Sequence, residues 1–496
     1  MNDLESLLKG IGTQGFDPSA LAKAITQGTG LVAYDLEAPS KKLYPVLSPM
    51  RNELARVQDG KGGTAVNWKS VTAIAPGSYQ LGVAEGQRNA GYNLSTANSL
   101  GTYKGIGLEQ SVTFEAQYAG QTFEDMKGLA VLTNLQSMMV GEEKLILGGN
   151  TSIVLGTTAT PTTSTSTTGG VIASGVNVVV SVVYLTDEGY EGSSVAGGVI
   201  QGFTRTNADG STTTSGYGAA IISAAATQAT AGGGSTNSVS AVVATKPGAV
   251  AYAWYWGATA GAAQKLGAIT TRNSVVITTA AGAGTQAANL STLGTDWSAD
   301  PLTFDGFLSL ANGVGQVVGA TASGAYLNAL AAGSTLTSDS AGGVVEIEAM
   351  LQDRWDNYRL GMDTLWVNSA EAKTITNIVV ANGGAPLLRL EQSAMSNGVV
   401  AGGLFVSTYN NKFTGQPMKI RIHPYMPAGT MLATASTLPY PVNGVNNVSQ
   451  MRLRRDYYEI DWVQTSRSYP FGLYMDGFLQ SYFAAAYGVI SNITAS

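Results

Sequence analysis

Residues Thr122 to Asn150, TFEDMKGLAVLTNLQSMMVGEEKLILGGN, carry the strongest periodic signal in the chain. Phe123, Met126, Leu129, Leu132, Leu135, Met139 and Ile146 recur mainly at three- and four-residue steps, which predicts a long helix with one apolar face. Thr122 with Asp125 reads as its start signal and Gly148-Gly149 as its stop. An alternating, hairpin-like region precedes it, and a stretch dominated by Thr, Ser, Gly and Ala follows. A long helix with an extended arm on one side and an insertion on the other is the plan of a subunit that touches other subunits.

Composition agrees with that plan. The chain has 496 residues, enough for roughly three domains, and only 12% of them are charged, about half the usual share. A free-standing monomer normally carries more charge for solubility, so much of the surface is expected to be covered by partners. The net charge of -6 argues against a groove that grips duplex nucleic acid. The chain has no cysteine, which removes disulfides and thiolate chemistry, and its single His423 removes any His-rich metal cluster. The start, MNDLESLLKG, lacks the apolar core of a secretory signal. No run of about 18 apolar residues predicts a membrane span, so the chain reads as soluble and made in a cytoplasm.

Outward from the helix, residues 1–59 read as an N-terminal arm. Leu4, Leu7, Leu8 and Ile11 predict a short amphipathic helix, and Asp17-Pro18 a second helix start; the proline-containing LVAYDLEAPSKKLYPVLSPM reads as an extended strap. Residues 60–117 read as a long β-hairpin. Its first limb holds Val66, Trp68 and Ile74; Val83 to Gly101 is a polar tip; and Ile106, Leu108, Gln110, Val112, Phe114 and Ala116 share one parity of the return limb. An isolated hairpin is marginal in water, so so long an arm is expected to lie on a neighbouring subunit.

After the helix, GTTATPTTSTSTTGG reads as a linker by composition and AAGAGTQAANLSTLGT as its counterpart. Between them VNVVVSVVYL, Ser238 to Thr245, AVAYAWYWGA and NSVVITT form a series of short β-rich runs, predicting a small sandwich inserted between two flexible joins. Beyond Trp297, Gly343 to Leu360 predicts a helix with Val345, Met350, Trp355 and Tyr358 inward. DTLWVN is a short buried strand, and SAEAKTITNIVVANGG a Ser-capped helix ending at Gly383-Gly384. The alternation of strand and helix marks a compact α/β or α+β domain. The closing QMRLRRDYYEIDWVQTSRSYPFGLYMDGFLQSYF reads as long strands with a turn near Tyr469-Pro470.

In this order, YKGIGLEQSVTFEAQYAGQTFEDMKGLAVLTNLQ, HPYMPAGTML and RRDYYEIDWVQTSRSYPFGLYMDGFL resemble the major capsid proteins of tailed bacteriophages, the Hong Kong 97-like fold. The first stretch is similar to the return limb of that family's extended loop running into its spine helix. The second is similar to a strand-and-turn late in the axial domain, and the third to the closing strands of the peripheral domain. The resemblance implies an α+β fold. It assigns an N-terminal arm (1–59), an extended β-hairpin loop (60–117), a peripheral domain with spine helix (118–155) and an inserted immunoglobulin- or fibronectin-like sandwich (156–299). It then assigns a peripheral continuation (300–340), an axial domain (341–440) and a return to the peripheral domain (441–496).

Chemistry was weighed against this reading. A Ser-His-Asp hydrolase would have to use His423, but it sits in the alternating IRIHPY without a G-x-S-x-G elbow and reads as a packing histidine. Gly60-Lys61-Gly62-Gly63-Thr64 fails the spacing of a phosphate loop and reads as a turn. Asp353, Arg354 and Asp356 read as exposed charge on a helix. Arg452, Arg454 and Arg455 read either as an inter-subunit or DNA-facing strip or as a solvated strand face, with strand alternation splitting Arg455 from the other two. Some capsids of the family close a Lys–Asn isopeptide bond. Lys61, Lys69 and Lys104 lie in the loop but none at its tip, so assembly is expected to be non-covalent.

The sequence therefore implies a non-enzymatic structural protein, without catalytic, cofactor or metal residues, that self-assembles into pentamers and hexamers of an icosahedral phage head. The expected setting is the virion capsid, assembled in the host cytoplasm, with a separate scaffolding protein, a portal, weakly contacted packaged DNA, no membrane, and the insertion facing outward. The alternative is a cell-surface adhesin or carbohydrate-binding structural protein; a carbohydrate-active enzyme lacks an identifiable acid/base pair.

Overall fold

The structure, a computed structural model, describes residues 42–58, 62–74, 82–89, 94–121, 124–207, 209–232, 234–381 and 405–494. The helices expected around Leu4–Ile11 and after Pro18, Lys61, part of the hairpin tip and the Gly383-Gly384 stop lie outside these residues.

The described chain begins with α1 (Pro49–Glu53) and β1 (Ala55–Gln58). A ribbon of β2 (Ala65–Ile74) and β3 (Leu94–Thr102) follows, then β4 (Lys104–Thr113), α2 (Phe114–Gly120) and α3 (Met126–Gly148). The hairpin is real but its return limb differs from the expectation. β3, within the stretch read as a polar tip, pairs antiparallel with β2 from Ala65↔Thr102 to Ile74↔Leu94. β4 pairs instead with a strand near the C-terminus, from Ser468↔Thr113 to Gly477↔Lys104. Alternation identifies a strand and its two faces but not its partner. The strand also ends before Phe114 and Ala116, because the Thr113 side chain accepts a hydrogen bond from Ala116 N at 3.3 Å and caps α2.

Helix α3 starts at the Asp125 cap, whose carboxylate accepts from Lys127 N; Thr122, the other residue of the expected start signal, lies outside the described residues. Its buried ridge is Ala130, Asn134, Met138 and Glu142, continuing into Glu143, Ile146 and Leu147. Of the six expected inward residues that the structure describes, Met126 to Ile146, only Ile146 is buried, and Leu132 is exposed; Phe123 lies outside the described residues. The apolar stripe misled because polar residues on the inner ridge have partners. Asn134 donates to Leu108 O of β4 at 3.1 Å, and the two glutamates are fully hydrogen-bonded, as described below.

The insertion is a two-sheet structure. It comprises β5 (Thr162–Ser166), β6 (Asn177–Leu185), α4 (Asp187–Gly192), the small hairpin β7 (Phe203–Thr206) and β8 (Thr212–Ser215), β9 (Ala226–Ala229), β10 (Ser238–Val242), β11 (Ala251–Gly257), β12 (Lys265–Thr270), β13 (Ser274–Ile277) and α5 (Leu290–Leu293). One sheet runs β13-β10-β5, the other β12-β11-β6-β9. Val178, Val180, Val182, Tyr252 and Trp254 meet Val239, Ala241 and Ile277 between them. The opposite face of the second sheet, with Val183, Leu185, Ala253 and Tyr255, is covered by Val199, Ile222, Ala288 and Leu293. Burial on both faces explains why VNVVVSVVYL is continuously apolar.

Neither join is a loose linker. Thr162–Ser166 is a strand paired with β10, β-branched threonines being good strand formers. The segments leading in and out are zipped together: Asn150 Nδ2 donates to Ser298 O (2.7 Å), Leu155 N to Ser298 Oγ (2.9 Å) and Gly156 N to Asp296 Oδ2 (2.6 Å).

The main body resumes with α6 (Phe307–Asn312), β14 (Tyr326–Ala329), α7 (Val345–Tyr358), β15 (Thr364–Val367), α8 (Ser369–Val379), β16 (Thr408–Asn410), β17 (Pro417–Ile422), β18 (Met431–Thr434), β19 (Ser449–Asp461), β20 (Ser468–Ser481) and β21 (Tyr487–Ser491). A mixed six-stranded sheet runs β14-β21-β18-β15-β17-β16 and a four-stranded sheet β1-β19-β20-β4. β14 and the last strand β21 both belong to the six-stranded sheet, with β21 paired to β18 and β14. The turn of the β19–β20 hairpin lies between Asp461 and Ser468, and Pro470 sits inside β20 near its start.

Two further faces are corrected. The inward side of α7 is Ile347, Met350, Leu351 and Arg354, while Val345 is exposed. The cap of α8 is Asn368, whose side chain accepts from Ala370 N, rather than Ser369. One core lies under α7 and α8 against the six-stranded sheet. A second, with Ile146, Leu147, Phe307, Leu432, Leu453, Met475 and Phe478, joins α3, α6 and both sheets into one body.

Candidate assembly surfaces

The inner ridge of α3 anchors the chain that precedes it. Glu142 and Glu143, both fully buried, point to opposite tasks. Glu143 accepts from Met50 N (2.8 Å), Arg51 N (2.7 Å) and the His423 ring at 2.6 Å. Glu142 accepts from Arg51 Nε (2.7 Å), Arg56 Nη1 (2.6 Å) and the Tyr457 hydroxyl. Arg56 also reaches Asp456 at 2.6 Å, and both arginines lie over the Tyr457 ring. Burial alone would lower the Arg56 pKa, but the hydrogen bond to Asp456 and the Glu142 charge outweigh it and raise it. Burial would raise Asp456, and the Arg56 hydrogen bond reverses this and holds it below the carboxylate range. A depressed carboxylate contributes stability above its unfolded pKa that is lost as pH falls, so this knot weakens in acid.

Upstream, the described part of the strap, residues 42–48, is mostly exposed. Leu43 is 91% exposed and Leu47 is exposed, while the Tyr44 hydroxyl donates to Gln136 on the outward side of α3. The structure thus fixes one end of the arm firmly, and among the described residues upstream Leu43 and Leu47 are uncovered.

Among the described residues, the β2–β3 ribbon is pinned to the body through β3 and the base of the ribbon. Val318 N donates to Asn98 O at 2.8 Å and Leu100 N to Gln316 O at 2.9 Å. Gly101 lies so close to the Phe478 ring that an added Cβ would come within 2.0 Å of it, and Trp68 meets Tyr482 edge-on at 5.9 Å. Farther out the two strands form a sheet of their own, with Val71 (59%) and Leu94 (54%) exposed. Lys69 is exposed on β2 opposite Asn98, and Lys104 Nζ donates to Pro301 O at 2.5 Å.

The insertion docks on the main body by an amide clasp. Asn492 Oδ1 accepts from Asn273 N at 2.8 Å, and Asn492 Nδ2 donates to Asn273 Oδ1 at 2.9 Å and to Leu330 O at 2.6 Å. Both asparagines are buried. An Asn492→Ala variant leaves the Asn273 amide without those partners at a cost of about 1–3 kcal/mol. It is expected to raise hydrogen exchange in β12–β13 while sparing α3.

His423, Arg354, Arg454 and Arg455 are each engaged by neighbouring groups. His423 is 1% exposed; Tyr425 N donates to its Nδ1 (3.2 Å), so its Nε2–H donates to Glu143, and both nitrogens are engaged. Arg354 is buried, against expectation. It donates to Gly324 O (2.7 Å) and Ala485 O (2.8 Å) and lies over the Tyr358 ring, so helix charge here clamps two loops while Asp356 stays outward. Strand alternation does not split the arginine run, because register shifts at Leu453/Arg455 and Arg455/Tyr458 leave both Arg454 and Arg455 exposed. Arg454 pairs with Asp476 at 2.8 Å and Arg455 lies over Tyr458 at 4.1 Å. Gly62 has φ +66, in keeping with a turn before the ribbon. Among the described residues no group of three or more His, Cys, Asp or Glu is placed to hold a metal ion, and no helix is long and apolar enough to cross a membrane. The glutamate knot itself left no signal in the sequence, since EE inside a helix reads as solvated charge.

No family model matches the sequence, and no curated protein matches it. Solved structures do. The capsid of Myoviridae phage XM1 aligns over 95% of this chain and 99% of its own, at 9% identity and a TM-score of 0.41. The capsid of the native GTA particle aligns over 95% and 99%, at 9% identity and 0.42. The cyanophage A-1(L) capsid aligns over 94% and 99%, at 11% identity and 0.41. The solved structures to which this chain is similar along nearly its whole length include these phage and GTA capsid shells.

Proposed function

We propose that this chain is the major capsid protein of a tailed phage, a structural subunit that self-assembles into the icosahedral shell around packaged double-stranded DNA. The observation that carries the reading is the β2–β3 ribbon. It has two strands, is pinned at its base, and exposes Val71 and Leu94 along a stretch with no sheet behind it. Such a ribbon is marginal alone in water and gains its stability by lying across an adjacent subunit. The exposed Leu43 and Leu47 beyond the α3 knot add a second reaching element. Many weak contacts of this kind sum through multivalency. The sandwich, joined at α3 and clasped at Asn492, faces outward as an immunoglobulin-like surface domain. The arginine run is largely engaged with Asp476 and Tyr458, which suits an inner wall that holds DNA without gripping it. A separate scaffolding protein and a portal complete assembly in the host cytoplasm.

Size-exclusion chromatography over rising concentration tests the reading. Rings of capsomer size or larger are expected, and a monomer at every concentration would overturn it. Lys61, Lys69 and Lys104 lie in the loop but none at its tip, so assembled particles are expected to run as single chains on a denaturing gel. Ladders of covalent multimers would contradict non-covalent assembly.

A further inference from the structure

The C-terminal end of α3 meets the insertion at a cluster of carboxyl groups. Asp187, the first residue of α4, is 3% exposed, and its Oδ1 has no hydrogen-bond partner. Its other oxygen lies against Gly148, the last residue of α3; a Cβ there would fall 2.0 Å from Oδ2. This is the negative end of a 23-residue helix, where an anion is unfavourable. The first turn of α4 favours an anion, but that helix has only six residues. A neutral carboxyl group fits the site; an ionised one does not.

The surroundings deepen the conflict. Glu188 and Glu191 share the helix with Asp187, and Asp300 and Asp305 come from the outgoing segment. The cations facing the cluster are Lys144 of α3, paired with Glu191 at 2.8 Å, and Lys104 of β4. Tyr190 and Tyr217 also border it. Burial first, then the neighbouring Glu191 and Glu188 charges, hold Asp187 well above the carboxylate range. Burial, then Asp300, Asp305 and Glu191, push Glu188 up to about 8. The cluster sits where the insertion joins α3: Asp305 Oδ1 accepts from Thr151 N at 2.7 Å and Ser152 N at 3.0 Å.

We propose that this joint is a proton-gated latch, in which neutral Asp187 and Glu188 hold the inserted sandwich tight against the end of α3 and their ionisation in alkaline solution loosens it. The sign follows from linkage. Acids whose folded pKa is raised contribute stability below their ordinary pKa, and that stability is lost as pH rises through the folded value. The docked state therefore weakens on approaching about pH 8, whereas the knot at Asp456 weakens in acid.

The absence of cysteine allows a direct test. Spin labels at Ser137→Cys on α3 and Val276→Cys on the sandwich, both exposed positions, report the distance across the joint in full-length chain diluted with unlabelled chain. The distance distribution is expected to be narrow near pH 6 and to broaden with a midpoint near the Glu188 value of about 8. Asp187→Asn with Glu188→Gln should stay narrow throughout. A distribution in the unsubstituted joint that ignores pH, or a double variant that broadens with pH as the unsubstituted chain does, would overturn the latch.

Discussion

Replacing residues 71–96 with a single Asn-Gly turn is expected to yield a folded subunit that no longer forms shells. The cut falls between Ser70 and Ala97, which face each other across the ribbon, so a two-residue turn can close it. What remains is the pinned base: Trp68 against Tyr482, Gly101 against Phe478, and the hydrogen bonds of Asn98 and Leu100 to residues 316–318. Among the described residues that are lost, Val71 and Leu94 are exposed, so thermal stability should change little, as for surface substitutions within about 0.5 kcal/mol. Assembly should change greatly. If the distal ribbon supplies about 3 kcal/mol per subunit contact, its loss raises the concentration needed for that contact more than about a hundredfold. Light scattering of the truncated chain beside the intact one reads this. Equal assembly by both would show that the ribbon is not the contact.

Glu142→Ala is expected to be the most damaging single substitution in the body. It removes a fully buried carboxylate from between Arg51, Arg56 and Tyr457. The two guanidinium groups, at 14% and 19% exposure, are left short of counter-charge where water reaches them poorly. Breaking a buried pair in this way costs about 3–5 kcal/mol, a large share of a typical stability of about 5–15 kcal/mol. The exposed pair Arg467–Glu115, at 75% and 61% exposure, is the control: Glu115→Ala should cost less than about 1 kcal/mol. Denaturant unfolding of both variants decides. Similar midpoints would mean that the knot on α3 does not hold the arm. The loss should also free the segment around Met50 to proteolysis, since that segment hangs on the α3 glutamates.

Much of this fold was legible because its strongest signals are periodic. The long helix, the alternation in the return limb, the short buried strand Thr364–Val367 and the series of β-runs in the insertion all appear where periodicity places them. The errors share a physical cause. Periodicity reports which residues could face a core, not which partner supplies it. β4 was therefore assigned to the ribbon although it pairs with β20. The inner ridge of α3 was hidden because Asn134, Glu142 and Glu143 are buried with partners more than twenty residues away. Composition misled at the insertion joins in the same way: Thr- and Gly-rich sequence reads as loose, yet its backbone groups are paired across the joint. The lone histidine was correctly read as a packing residue; its partner Glu143 could not be read, being 280 residues away.

The central claim is that this subunit reaches over its neighbours to build a closed shell. Cryo-electron microscopy of particles formed by the expressed chain, with a candidate scaffolding protein present, tests it most directly. The account expects closed icosahedral shells in which the β2–β3 ribbon, with Val71 and Leu94 covered, lies across the adjacent subunit and the sandwich projects from the outer surface. A protein that never forms shells or capsomers, or shells in which the ribbon folds back on its own subunit, would contradict it.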